Sequence, residues 1–567
     1  MQELAPVVLF IALYVVLVVA AFLTLIGSSL LIWRYQRGVA AAMLQGGIDT
    51  PPDASSPPMT LPAESSAFAR DALGSTTPLP QADAGVLLER ALAAPREAAL
   101  ASLAAGLAFA LILSVAFLLA VPDARTTLRF LFTLWVDCWP IVVAVAFTAP
   151  SFARATAIGA IAYFIPFALG VLVAMVMPEA PPQSIEAAVM ELQETISPSL
   201  LLRYWLVYAA VPTVVLLLFL NPRTRAVSPL LLAFTTIVVS GCMAAWIAVF
   251  SAPGMDLVAH AVEVTESSVA SMLAGTLVLS IVACASLGWL ALAWVRKAYL
   301  AKAISDRSLG LDALWLFFGA IYAAEFAVQG PAWLLVGVLA FVACKLVFAG
   351  EGRLARRRSQ ALAPRGLTFL RVFALGAKSN ALFDALAKHW RRIGSMQLIT
   401  GPDVAHSVVQ PHQLLDFVSG RLASHFIADA RTLEARMAQR DRAPDRDGWY
   451  RVNSFFCRAD TWQAVLARLV GDGDVILMDL RSFTARNAGC VHEIQHLVRF
   501  VPLGRCVFVV DASTDVGDLR AVLKEAAVSL SDGAPNRSID ADAIVLHRVD
   551  SPRAALPQLL RTLCAAA

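Results

Sequence analysis

DVILMDLRSFTARNAGCVHEI, residues 474–494, gives the clearest indication of how the C-terminal part of the chain folds. Its first seven residues form an apolar run typical of a strand that is buried on both faces of a parallel sheet. A polar loop follows, and residues 488–500 then place apolar side chains at the spacing of an amphipathic helix. A strand, a loop and a helix in this order are the repeating unit of a parallel α/β fold.

The same alternation extends on both sides of this stretch. It predicts five strands separated by helices, at residues 368–374, 396–400, 474–480, 505–510 and 543–547. Residues 403–455 look like an insertion, with a helix predicted over 411–439. We therefore expect residues 367–567 to form a doubly wound, five-stranded parallel sheet with strand order 2-1-3-4-5.

The stretch also carries a family pattern. TIR domains have a strand, a polar loop and a helix that opens with Trp-Cys-x-x-Glu-Leu. Cys490 and Glu493 match that pattern here, while Ile494 stands for the Leu and Gly489 for the Trp. The C-terminal domain therefore resembles the TIR family of flavodoxin-like signalling domains. In TIR enzymes that cleave NAD this Glu is catalytic, so the resemblance implies a catalytic role for Glu493 and NAD as the ligand.

The expected strand order places a ligand crevice between strands one and three, beyond their C-terminal ends. The residues predicted to hold a cofactor there are Lys378, Ser379, Arg481 and Asn487, beside Gly376, Asn380 and Ser482. Two cations and a helix N-terminus could hold a diphosphate. On the helical wheel, Glu493 is expected at the flank of the apolar face, neither buried nor fully exposed.

Residues 492–496 spell HExxH, the zinc-protease helix motif. The helical period turns His492 and His496 away from the apolar face, so we expect a coincidental match and no metal site. The eight cysteines are scattered without a CxxC pair, and we expect neither a disulfide framework nor a Cys-based zinc site.

The rest of the chain has a different composition. Overall, 58% of residues are hydrophobic and 15% are charged, whereas soluble domains carry about 25% charged residues. This excludes a wholly soluble or disordered protein. Nine stretches are long and apolar enough to cross a bilayer: residues 6–33, 98–121, 127–149, 155–177, 204–220, 229–250, 271–295, 309–328 and 331–349.

Arg and Lys residues concentrate in alternate loops, which predicts an external N-terminus and a cytoplasmic C-terminus in the plasma (inner) membrane. The predicted division is as follows: first transmembrane helix 1–37, flexible cytoplasmic linker 38–96, bundle of eight helices 97–350, basic juxtamembrane segment 351–366 and TIR-like domain 367–567. Asp137 and Glu325 are ionisable residues inside predicted spans, a position typical of functional sites.

These observations predict a multi-pass membrane protein whose TIR-like domain acts in signalling or assembly. Its expected partners are the lipid bilayer and other proteins or further copies of itself, with no nucleic acid. Three alternatives remain: an NAD-hydrolysing effector that uses Glu493, a transporter with a regulatory α/β domain, and a membrane zinc metalloprotease.

Overall fold

The computed structural model describes residues 4–44, 84–121, 126–149, 151–176, 205–219, 227–326, 329–359, 363–372, 377–400, 410–458, 461–538 and 540–567. The chain divides into two compact units. The helical unit comprises Met1–Leu31 and Arg96–Glu351, and the α/β unit comprises Ile32–Pro95 and Gly352–Ala567.

Eleven of the described α-helices belong wholly or in part to the helical unit. They are α1 (Leu4–Leu44), α2 (Ala84–Ala120), α3 (Thr127–Asp137), α4 (Trp139–Thr148), α5 (Phe152–Val176), α6 (Val211–Phe219), α7 (Ser228–Val249), α8 (Ala252–Thr265), α9 (Val269–Leu300), α10 (Asp306–Phe326) and α11 (Leu335–Ser359). A π-helical turn, Leu206–Ala210, precedes α6. Helices satisfy their backbone hydrogen bonds internally, as a lipid environment requires.

Within the described part of the chain, seven helical segments are long and apolar enough to cross a membrane. They are Ala84–Ala120, Arg129–Thr148, Phe152–Leu169, Ser228–Val249, Val269–Leu300, Asp306–Phe326 and Ala332–Ala355. These seven coincide with seven of the nine predicted spans, and the chain is compatible with a multi-pass membrane protein. The predicted fifth span coincides with a shorter apolar helix, Leu206–Leu217, and the first lies within α1. The count of nine and the orientation remain predictions.

Small residues let two helices of the helical unit approach closely. Gly319 on α10 and Gly337 on α11 face each other, and a Cβ atom added at Gly337 would collide with the carbonyl of Gly319. A Cβ atom added at Gly350, later on α11, would have no described atom within 4 Å. Close backbone approach through glycine is typical of helix pairs in membranes.

The α/β unit contains the remaining elements. They are β1 (Leu367–Arg371), α12 (Ala377–Trp390), β2 (Met396–Thr400), α13 (Pro411–Val418), β3 (Phe426–Ile427), α14 (Ala430–Ala438), β4 (Val452–Cys457), α15 (Trp462–Asp472), β5 (Val475–Asp479), α16 (Ala488–Phe500), β6 (Cys506–Val510), α17 (Val516–Val528), β7 (Leu546–Arg548) and α18 (Pro552–Ala566). All strand pairs are parallel, and the strand order is β3-β4-β2-β1-β5-β6-β7.

The sheet therefore has seven strands, and the prediction of five was wrong in number. The five predicted strands correspond to β2, β1, β5, β6 and β7. These strands are neighbours in the sheet, and their order is the predicted one. The two extra strands, β3 and β4, come from the insertion and extend the β2 edge. The region predicted as one helix over 411–439 contains α13, β3 and α14. A two-residue strand has too little sequence pattern to be recognised.

Two apolar cores cover the two faces of the sheet. On one face, α12 and α18 pack over side chains such as Phe369, Leu398 and Leu477. On the other, α14, α15, α16 and α17 pack over side chains such as Leu370, Ile476 and Phe508. Neighbouring residues of each strand point to opposite faces, so the two cores alternate along every strand.

Parts of the predicted flexible linker are helical instead. Helix α1 continues to Leu44 and α2 begins at Ala84. Leu87 and Ala91 have no exposed surface and belong to the apolar core beneath α12 and α18. The Nδ1 atom of His389 donates a hydrogen bond of 2.9 Å to the Ala91 carbonyl. Burial of apolar surface stabilises these turns as part of the α/β unit; residues 45–83 lie outside the described part of the chain.

The glycine contact between α10 and α11 yields a test of packing. Gly337→Ala is expected to lower the thermal midpoint of the full-length protein in detergent, because overpacking costs about 1–3 kcal/mol. Gly350→Ala, on the same helix, is the control and should be neutral or stabilising, since Ala favours helix over Gly by about 1 kcal/mol. Equal midpoints for the two variants would contradict the close approach.

Candidate functional site

The candidate site lies where β1 and β5 end, side by side in the sheet. The helix that follows β1, α12, packs on one face, and the helix that follows β5, α16, packs on the other. The connections that leave β1 and β5 therefore run to opposite faces of the sheet. Open α/β sheets bind ligands at such a position. In the β1–β5 register, Arg371 is opposite Asp479.

A buried ion pair occupies the end of β5. Asp479 has no exposed surface and Arg481 is 3% exposed. The Nε and Nη2 atoms of Arg481 donate to the two carboxylate oxygens of Asp479, both at 2.7 Å. Nη2 also donates to the Lys378 carbonyl at 2.9 Å. This two-pronged geometry is the strongest form of arginine–carboxylate pairing, and it directs the guanidinium towards the protein.

The other predicted ligand residues have different surroundings. Lys378 is exposed, and its Nζ atom lies 3.8 Å from Asp511 Oδ2. Ser379 is buried, and its hydroxyl has no hydrogen-bond partner among the residues that the structure describes. Asn487 accepts a hydrogen bond from the Thr484 amide at 2.9 Å and precedes α16, so it belongs to a local turn. The structure thus brings Lys378 and Arg481 into contact, while Gly376 lies outside the described residues.

A hydroxyl-rich turn follows β6 beside this pair. The Ser482 and Ser513 hydroxyls are 2.7 Å apart, and Ser482 has a left-handed backbone with φ of 58°. Burial acts to raise the pKa of Asp511, but hydrogen bonds from Ser513 and Ser482 and the charge of Lys378 outweigh burial and hold that pKa below its ordinary value. Asp511 was not among the predicted site residues, although an Asp directly after an apolar strand is a readable signal.

Glu493 is buried rather than at the helix flank. It is 2% exposed, and within the described part of the chain its Oε2 atom has no hydrogen-bond partner. Burial raises the pKa of Glu493 to about 8, and the nearby Arg371 acts in the opposite direction. The first turn of α16 packs on the end of β1, where Cys490 Sγ lies 3.9 Å from the Arg371 carbonyl. The helical wheel could not predict this burial, because it contains no information about the neighbouring elements.

The HExxH histidines pack against aromatic rings. The ring of His492 lies 5.4 Å from that of Trp462, and the ring of His496 lies 4.7 Å from that of Phe500. Burial, together with the neighbouring His492 and Arg499, lowers the pKa of His496 to about 4. In the described part of the chain, no three His, Cys, Asp or Glu side chains are grouped so that they could hold a metal ion.

The residues present fit an NAD diphosphate poorly. Of the two predicted cations, Arg481 is engaged by Asp479, and only the exposed Lys378 presents its charge to solvent. Glu493 is a neutral acid near pH 7, which suits a proton donor, but it is almost fully buried. The site therefore consists of the Asp479–Arg481 ion pair, which closes the end of β5, and the protonated carboxyl group of Glu493 beside it.

Glu493 should make stability depend on pH. Between about pH 4.5 and about pH 8 the folded protein keeps a proton that the unfolded chain releases, so stability falls as pH rises, by up to about 1.4 kcal/mol per pH unit. Glu493→Gln removes this titration. We expect its thermal midpoint to exceed that of the full-length wild type by more at about pH 8 than at about pH 5.

Glu525→Gln is the matched control, because Glu525 is an exposed carboxyl on the neighbouring α17. Its midpoint difference from wild type should be small at every pH. A Glu493→Gln difference that stays constant, or that grows towards acid pH, would contradict the buried, protonated state.

The chain was also compared with known proteins. No family model, no curated protein and no solved structure matches it. The account of the site therefore rests on the contacts described above.

Proposed function

We propose that this chain is an integral membrane protein whose C-terminal domain is TIR-like and acts in signalling or assembly. The observation that carries this proposal is the burial of membrane-helix ends in the core of the α/β unit. Leu87 and Ala91 of α2 pack beneath the sheet, and the ring of Tyr35 on α1 lies 5.2 Å from that of Phe417. A movement of α1 or α2 would therefore displace side chains that pack in the α/β unit.

The same packing supports the proposed topology. The end of α1 and the start of α2 belong to one compact unit with the C-terminal domain, so all three lie on one side of a membrane. The basic residues near these segments favour the cytoplasmic side. If α1 crosses once, the N-terminus is then external, and we propose the plasma (inner) membrane as the location.

The TIR-like assignment is supported by the order of β2, β1, β5, β6 and β7, which follows the flavodoxin-like 2-1-3-4-5 pattern. The strands β3 and β4 are an addition to that pattern. Fold resemblance alone does not establish activity. The engaged Arg481 and the buried Glu493 favour a domain that works through protein contacts, with a second copy of the chain as the partner.

Self-association should depend on the helix–sheet packing. Full-length proteins with C-terminal fluorescent fusions, reconstituted in liposomes, are expected to show energy transfer between copies. Leu87→Ala should reduce that transfer at equal surface density, because loss of a core leucine costs about 2–5 kcal/mol. Leu92→Ala on the same helix, 41% exposed, is the control and should leave it unchanged. Wild-type transfer no greater than that of a monomeric membrane protein would refute assembly.

NAD consumption distinguishes the enzyme alternative. Full-length protein in lipid nanodiscs is expected to leave NAD intact, because the guanidinium that would hold the diphosphate is bound to Asp479. The full chain is required, since residues 84–95 help to form the domain core. NAD loss catalysed by the wild type and abolished by Glu493→Gln would establish the enzyme instead.

A further inference from the structure

A polar cluster lies inside the helical unit at a break between two helices. Helix α3 ends at Asp137 and α4 begins at Trp139, so the predicted third span has a one-residue irregularity at Cys138, whose backbone stays in the right-handed helical region. Pro140, in the first turn of α4, has no backbone N–H to continue the helix.

Two carboxyl groups lie near this break: Tyr322, one turn before Glu325, donates a 3.4 Å hydrogen bond to the carbonyl of Val136, the residue before Asp137. Asp137 is 9% exposed, and its Oδ2 atom accepts a 2.9 Å hydrogen bond from Ser114, which is fully buried on α2. Glu325 on α10 accepts a hydrogen bond from Tyr208 in the π-helical turn and interacts electrostatically with Asp137. Among the residues that the structure describes, neither carboxyl forms an ion pair. Two like charges in one site of low dielectric repel each other strongly.

A third group points independently to a ligand. Tyr163 on α5 is 7% exposed, and none of the described residues gives its hydroxyl a hydrogen-bond partner, although it lies within electrostatic range of Asp137. Its ring stacks on Trp135 at 4.7 Å and meets Trp139 edge-on at 4.9 Å, and these two tryptophans flank the break. The hydroxyl is therefore held in place as a donor and acceptor for whatever the carboxyl groups bind.

We propose that Asp137 and Glu325 together bind a proton inside the helical unit. Asp137 is buried beside aromatic rings, and among the described residues no cation pairs with either carboxyl, so a proton is the simplest species that removes the cost of a charge there. The other titratable groups facing the pair are Cys138, Tyr163 and Tyr322. This inference goes beyond the proposed function and does not depend on what the α/β unit does.

Infrared difference spectroscopy of the full-length protein in nanodiscs tests the site. In a Glu493→Gln background, which removes the titration of that buried carboxyl, a protonated-carboxyl band should appear on acidification and vanish at alkaline pH. Asp137→Asn and Glu325→Gln should each reduce its amplitude, because under this proposal both groups hold the proton. Asp312→Asn is the matched control: Asp312 is paired with Lys345 at 2.6 Å in the same unit and should not affect the band.

Two further measurements test the proton site if a carboxyl variant fails to fold. Ser114→Ala, which retains both carboxyl groups, should shift the band position because it removes the hydrogen bond to Asp137. Replacement of sodium by choline should leave the band unchanged. A band that is insensitive to Ser114→Ala, that survives both carboxyl substitutions or that requires sodium would overturn the proton site.

Discussion

The packing of the first turns of α2 against the sheet is the contact on which the account of this protein depends. Leu87 and Ala91 have no exposed surface, and they fill the core between the sheet and the helices α12 and α18. Burial of a leucine side chain contributes about 1.5–3 kcal/mol, so this contact is a substantial part of the domain's stability. Because of this contact, residues that the sequence predicted as linker are part of the core of the α/β unit.

Electrostatics then determines what the end of the sheet can do. Asp479 and Arg481 satisfy each other inside the protein, and a buried pair of this kind is costly to open because each partner would be left as an isolated charge. Glu493 avoids the same cost by staying protonated near neutral pH. Both arrangements favour a closed strand end over an open crevice that binds a nucleotide.

The sequence predicted the parallel sheet and the order of five strands, since the apolar runs and the helices between them are long enough to show their periods. It missed β3, which has two residues, and β4, where Asn453 and Ser454 interrupt the apolar run. It placed Glu493 at a helix flank because the helical period contains no information about neighbouring elements. The direction of the Arg481 guanidinium was equally beyond pattern reasoning, because Arg481 lies in a turn after the end of β5, where no regular period fixes the direction of a side chain.

Hydrogen–deuterium exchange of the full-length protein in nanodiscs tests the central claim most directly. If α2 begins inside the core of the α/β unit, the amides of residues 88–94 should exchange as slowly as those of the central strands β1 and β5, because opening them requires unfolding of the domain core. Exchange of these amides at the rate of an unstructured linker, while β1 and β5 remain protected, would contradict the account.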